Sequence, residues 1–247
     1  FGHHIAFLLH NNTDIVLLTI FANVKEVAVY SVYYIVVSSV QRLVSTFSTG
    51  LEAAFGNMIA KDEKQALEKN FNIFELASFS ITTVFFTTAA LLIVPFVSIY
   101  TKGVSDVNYI RPIFAYILVA AEAVYCLRIP YHAVVLAAGH FKQTRNGAFA
   151  EAFINIAVSV VLVNVWGMAG VALGTLFAMV FRTFQYAIYL SKNVLKRSLW
   201  MFFKKLIVFG SFSGAILTIY FQFSESNPSN YFDFIVYSNV IFITCTI

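Results

Sequence analysis

The sequence predicts an all-α polytopic membrane protein, on three observations. Hydrophobic residues make up 60% of the 247, charged residues only 11%, and the mean hydropathy is +0.79; soluble domains carry about 25% charged residues. Apolar runs of about 20 residues recur along nearly the whole chain, each long enough to cross a hydrocarbon core of about 30 Å as a helix. Helices are required because lipid offers no partner to an unpaired backbone amide. The sustained short-range alternation of a membrane barrel is missing.

Eight spans are expected, at 4–22, 28–58, 71–99, 109–137, 147–165, 169–190, 203–223 and from 233 onward. The first contains "HNNTDIVLL", in which five polar residues, His10 to Asp14, interrupt apolar sequence and put His3, His10 and Asp14 on one helical face. In the second, Ser31, Tyr34, Ser38, Arg42, Ser45, Thr49 and Glu52 follow at steps of three or four, a polar stripe along one helix. After Glu75, near one end where it can snorkel, the third offers only Ser and Thr and is expected to face lipid. The fourth carries Glu122, Tyr125, Arg128 and His132 around a kink-prone Pro130. Span five repeats the habit with Glu151, Asn155 and Ser159, and span six with Thr175, Arg182 and Gln185. "GVALG", Gly170 to Gly174, is a small-xxx-small step for close helix packing.

The connections are short. "KDEKQALEKN", 61–70, reads as a solvated helix start, and "GHFKQTR", 139–145, as a tight turn with Gly139 free to take positive φ. Pro228 in "SESNPSN" marks the most linker-like stretch, setting the last two spans apart from the first six. The chain opens on Phe1 without a signal-peptide pattern and stops at Ile247 within an apolar run, as expected of a fragment of a longer protein. Cys126 and Cys245 lie in apolar runs with no Cys or His spacing around them, so neither a disulfide nor a metal is expected.

Loops after the even spans hold Lys61, Lys64, Lys69, Lys142, Arg145, Lys192, Lys196, Arg197, Lys204 and Lys205, and the opposite side only Lys25, Lys102 and Arg111. The positive-inside rule makes the richer side cytoplasmic and sends span one outward. The net charge of +4 thus follows topology, and nucleic-acid binding is not expected. No loop has room for a soluble catalytic domain.

Arg42, Arg128, Arg182, Asp14, Glu122 and Glu151 fall within spans, with Glu52 near a span's end. A charge at the bilayer centre costs about 2.5 to 3.5 kcal/mol on insertion scales and so faces a protein interior or a wet cavity. Five spans sharing polar faces predict a common hydrated cavity, against the alternative of interhelical glue.

Two strings carry a resemblance. "NNTDIVLLTIFANVKEVAVYSVYYIVVSSVQRLVSTFSTGLEAAFGNMIA" and "AAGHFKQTRNGAFAEAFINIAVSVVLVNVWGMAGVALGTLFA" resemble, in order and spacing, the second half of bacterial polysaccharide flippases. These form the oligosaccharide flippase branch of the multidrug/oligosaccharidyl-lipid/polysaccharide (MOP) exporter superfamily, and the similarity covers about residues 1–192. The resemblance implies a MATE-like fold of two six-helix lobes around a central cavity. Residues 1–192 would be the C-terminal lobe and 193–247 additional transmembrane helices, the last truncated; the N-terminal lobe is the missing partner. It implies a non-enzymatic transporter of the inner (cytoplasmic) membrane, moving polyprenyl-diphosphate-linked oligosaccharide by alternating access for cell-surface polysaccharide synthesis.

Arg42 is then the first candidate for the diphosphate, since guanidinium forks to phosphate oxygens, followed by Arg128 and Arg182. Asp14 and Glu52 either counter the arginines or carry a coupling cation, and Glu122, Glu151 and Asn155 complete the substrate-facing set. Tyr30, Tyr33 and Tyr34 suit either sugar stacking or an interfacial aromatic belt. The rivals are a multidrug or metabolite exporter of the same superfamily, a polytopic transferase using His10 or His132, and a non-transporting scaffold.

Overall fold

The computed structural model describes residues 13–223, 228 and 230–246. His3, His10 and most of "SESNPSN" lie outside the described residues. Among those described the chain is all-helical: α1 (13–21), α2 (Val24–Thr46), α3 (Leu51–Ala60), α4 (Lys64–Tyr100), α5 (Pro112–Ala137), α6 (Phe141–Trp166), α7 (Met168–Asn193), α8 (Trp200–Phe223) and α9 (Tyr231–Thr246). Six of these helices are long and apolar enough to cross a membrane, the architecture of a multi-pass membrane protein.

Local chemistry sets the boundaries. Asn23 caps α2 by accepting the Glu26 N–H at 3.0 Å. The second span, expected as one helix over 28–58, is two. Ser45 and Thr46 donate back to the carbonyls of Gln41 and Arg42 at 2.8 and 2.9 Å, Ser48 donates to Ser45 O at 2.6 Å, and Gly50 turns the chain at φ +86° before α3. Hydroxyls that compete for backbone carbonyls, followed by a residue free to go left-handed, end a helix here. The polar stripe is therefore divided between α2 and α3. Gly139 takes φ +74° as its sequence suggests, but the turn is shorter than 139–145 because α6 begins at Phe141.

Two interfaces form the centre of the bundle, α6 against α7 and α7 against α5. "GVALG" makes the first possible: a Cβ on Gly174 would stand 2.8 Å from Ser159 N and 2.9 Å from Asn155 O, and one on Gly170 would strike the Leu162 carbonyl.

The third span corrects an expectation. α4, expected to be the most lipid-facing of the first six spans, is among the most buried of the long helices; it packs against α2, α3, α5, α8 and α9, burying Phe71, Phe79, Ile93 and Val97 along its length. Its Thr82, Thr83 and Thr87 are buried, and Thr87 bonds Ser213 of α8 at 2.8 Å. At 37 residues it is about 55 Å long, well beyond a hydrocarbon core of about 30 Å. The least buried of the six long apolar helices is α8, of whose apolar window only 6% is buried.

Replacing Gly174 with valine should destabilise the bundle by about 1–3 kcal/mol through overpacking. Gly214→Ala in α8, where nothing lies within 4 Å of the added carbon, should stabilise by about 0.5–1 kcal/mol. Thermal unfolding in detergent measures both.

Candidate functional site

Three polar clusters tie the helices together, each at its own level. The middle one joins α5, α6 and α7. Glu151 accepts from Arg128 Nη1 at 2.6 Å and pairs with Arg182 Nε at 3.4 Å. Arg182 is held further by the Thr144 carbonyl and the Tyr186 hydroxyl, both at 2.9 Å, and by Gln185. The guanidinium groups lie over the rings of Tyr125 and Tyr186, at 4.6 and 4.3 Å. Such faces attract cations, the more so away from water. Two arginines face one glutamate here, and the buried Glu122 of α5 also stands electrostatically close to Arg128.

Gly147 admits that arrangement. A Cβ there would overlap Gln185 and the Arg182 guanidinium, so the smallest residue stands where the arginine reaches across to α6.

The second cluster joins α1, α2, α6 and α7. Asp14 accepts from Tyr30 OH at 3.0 Å and from Thr175 Oγ1 at 2.9 Å, and Thr175 in turn accepts from Asn155 Nδ2 at 3.0 Å. Asn155 is fully buried, and its Oδ1 has no hydrogen-bond partner among the described residues. Glu122 of α5 is likewise buried, and electrostatically close to Asp14 and Arg128.

The structure thus brings together six of the eight residues singled out from sequence: Asp14, Glu122, Arg128, Glu151, Asn155 and Arg182. They form a packed polar seam. The cavities of about 400 to 500 Å³ lie elsewhere and are lined mostly by apolar side chains, one between α2–α3, α4 and α5, another between α4, α5 and α8. Arg42 and Glu52 stand apart, exposed on α2 and α3 without an ion pair among the described residues. Val44, two residues on, shares a cavity wall with Ile81, Cys126 and Ile129. Of the tyrosines, Tyr30 is committed to Asp14. Tyr33 accepts the Arg111 N–H at 3.0 Å and donates to the Tyr109 carbonyl at 2.9 Å, fastening the α4–α5 loop.

Sequence reasoning missed the third cluster. Glu75 is fully buried, paired with Arg197 at 2.6 Å and with Lys205, and bonded by Tyr131; Arg197 also donates to Asn72 at 2.8 Å. It joins α4, α5, α8 and the α7–α8 connection where a snorkelling acid was expected. One signal was available: no Asp or Glu occurs from 152 to 224, so the basic residues there need an acid from elsewhere.

No protein-family model, no curated protein and no solved structure matches this chain.

Glu151→Gln leaves two buried guanidinium groups without their counter-charge and should cost about 3–5 kcal/mol. Arg182→Gln leaves the Arg128–Glu151 pair neutral and should cost less. Unfolding of the two variants in detergent checks the order; an unperturbed Glu151→Gln protein would mean the arginines find other counter-charges.

Proposed function

We propose that the chain is one lobe of an inner-membrane flippase that carries polyprenyl-diphosphate-linked oligosaccharide to the outer leaflet by alternating access. The observation that carries this reading is Arg42, an exposed guanidinium on a helix, Val24–Thr46, that is long and apolar enough to cross a membrane. A permanent charge there is costly against lipid, so its face of α2 looks onto a wet cavity or a second lobe. A diphosphate is the anion that a planar, always-charged fork binds best. Within the bundle Arg128 and Arg182 supply two further guanidinium groups, paired with Glu151, and Glu52 is exposed on α3.

In this reading the sugar crosses in the polar space between lobes and the lipid tail stays in the bilayer. No bond is made or broken; the chain's side chains bind, neutralise and release. Asp14, Thr175 and the unpartnered Asn155 Oδ1 offer oxygen donors of the kind a hard coupling cation takes. The predominantly apolar lining of the cavities favours a second reading, an exporter of apolar drugs or metabolites from the same superfamily.

The test is polymer export in a strain lacking its own flippase, complemented with the gene encoding this chain. Wild type should restore polymer, and Arg42→Ala should abolish it at equal membrane abundance. Failure of the wild type with the cognate sugar genes present, together with gained drug resistance, would favour the exporter. Equal restoration by both would leave the flippase and remove Arg42 from the site.

A further inference from the structure

The connection between α7 and α8 carries charge that the rest of the bundle answers only in part. Lys192, Lys196, Arg197, Lys204 and Lys205 fall within 14 residues, in a region without acids from 152 to 224. Glu75 comes from α4 to take Arg197 and Lys205. Lys192, Lys196 and Lys204 remain exposed, with no ion pair among the described residues. The same connection exposes Trp200 and Met201 at the start of α8, an apolar and aromatic edge of the kind found at headgroup level.

The backbone holds these groups in a fixed turn. Val194 N–H and Leu195 N–H both reach the Leu190 carbonyl, at 3.1 and 3.0 Å, and Arg197 N–H reaches the Ser191 carbonyl at 3.0 Å. Between them Lys196 takes φ +50°. Glycine adopts this conformation after a helix without steric cost, and here a lysine takes it. The turn sends the Arg197 side chain inward, 2% exposed, and leaves Lys196 outside.

We propose that the α7–α8 connection is a docking site for anionic phospholipid headgroups, with Lys192, Lys196 and Lys204 as its cations. Charge complementarity identifies the occupant. At the end of a membrane bundle the neighbouring medium is the headgroup layer, and basic clusters just beyond a transmembrane helix attract its anionic lipids. Glu75 gives the docked lipid a mechanical consequence: through Arg197 and Tyr131 the connection is fastened to α4 and α5. The site stands whether or not the chain transports lipid-linked sugar.

Because glycine relieves the turn, Lys196→Gly separates a structural lysine from a binding one. The purified chain would be unfolded thermally in bilayer discs of phosphatidylcholine, with and without phosphatidylglycerol. Wild type should gain several degrees in Tm from phosphatidylglycerol, a gain that shrinks as salt screens the charges. Lys196→Gly should keep or raise Tm in phosphatidylcholine yet gain less from phosphatidylglycerol, and adding Lys192→Gln and Lys204→Gln should abolish the gain. Lys61→Gln with Lys64→Gln, exposed at the same end, should preserve it. The proposal is overturned by an equal gain in the triple variant, by an equal loss in the Lys61/Lys64 control, or by a fall in Tm of Lys196→Gly in phosphatidylcholine. It is also overturned if inorganic phosphate added to phosphatidylcholine discs reproduces the gain.

Discussion

A charged side chain buried among apolar helices must be answered by a counter-charge or by hydrogen-bond donors, and in this chain the answer comes repeatedly from a different helix. Glu151 of α6 is shared by arginines of α5 and α7, Asp14 of α1 is held by α2 and α7, and Glu75 of α4 gathers α5, α8 and the connection before it. Apolar packing cannot select these neighbours so sharply, because lipid tails solvate leucine as well as another helix does. The charges give the bundle its specificity, and removing one partner costs more than the pair contributes.

The clusters occupy separate depths. The Glu75 group lies toward the lysine-rich end. Opposite it, Arg111 pairs with Glu26 at 3.2 Å and Lys25 donates to the Asp106 carbonyl at 3.1 Å, closing the loop before α5 onto α2. These outer ties are partly exposed, and such ion pairs contribute little individually. The buried groups between them dominate because they are shielded from water.

Much of this was legible in sequence. Span positions followed from hydropathy, and the helical spacing of polar residues picked out most members of the buried seam, although they pack against one another where a shared hydrated cavity was expected. "GVALG" announced the tight α6–α7 approach. The break after Thr46 was less legible, because an isolated glycine is tolerated within a helix and the deciding hydrogen bonds run from hydroxyls to carbonyls. The burial of α4 was hidden for a different reason: its polar residues after Glu75 are threonines and serines, which hydropathy treats as neutral whether they meet lipid or a neighbour such as Ser213. Glu75 itself could not be placed from its own span, since its partners lie 122 and 130 residues away.

The connection between α6 and α7 is Gly167 alone, at φ +54°. Two helices joined so closely form one helical hairpin, with Glu151 on one arm paired to Arg182 on the other and to Arg128 of the preceding helix. A hairpin inserted whole, after α5, would carry the acid into hydrocarbon with its counter-charges already at hand, and glycosylation mapping of nascent chains halted before and after α7 would record whether α6 waits for that partner to become membrane-embedded.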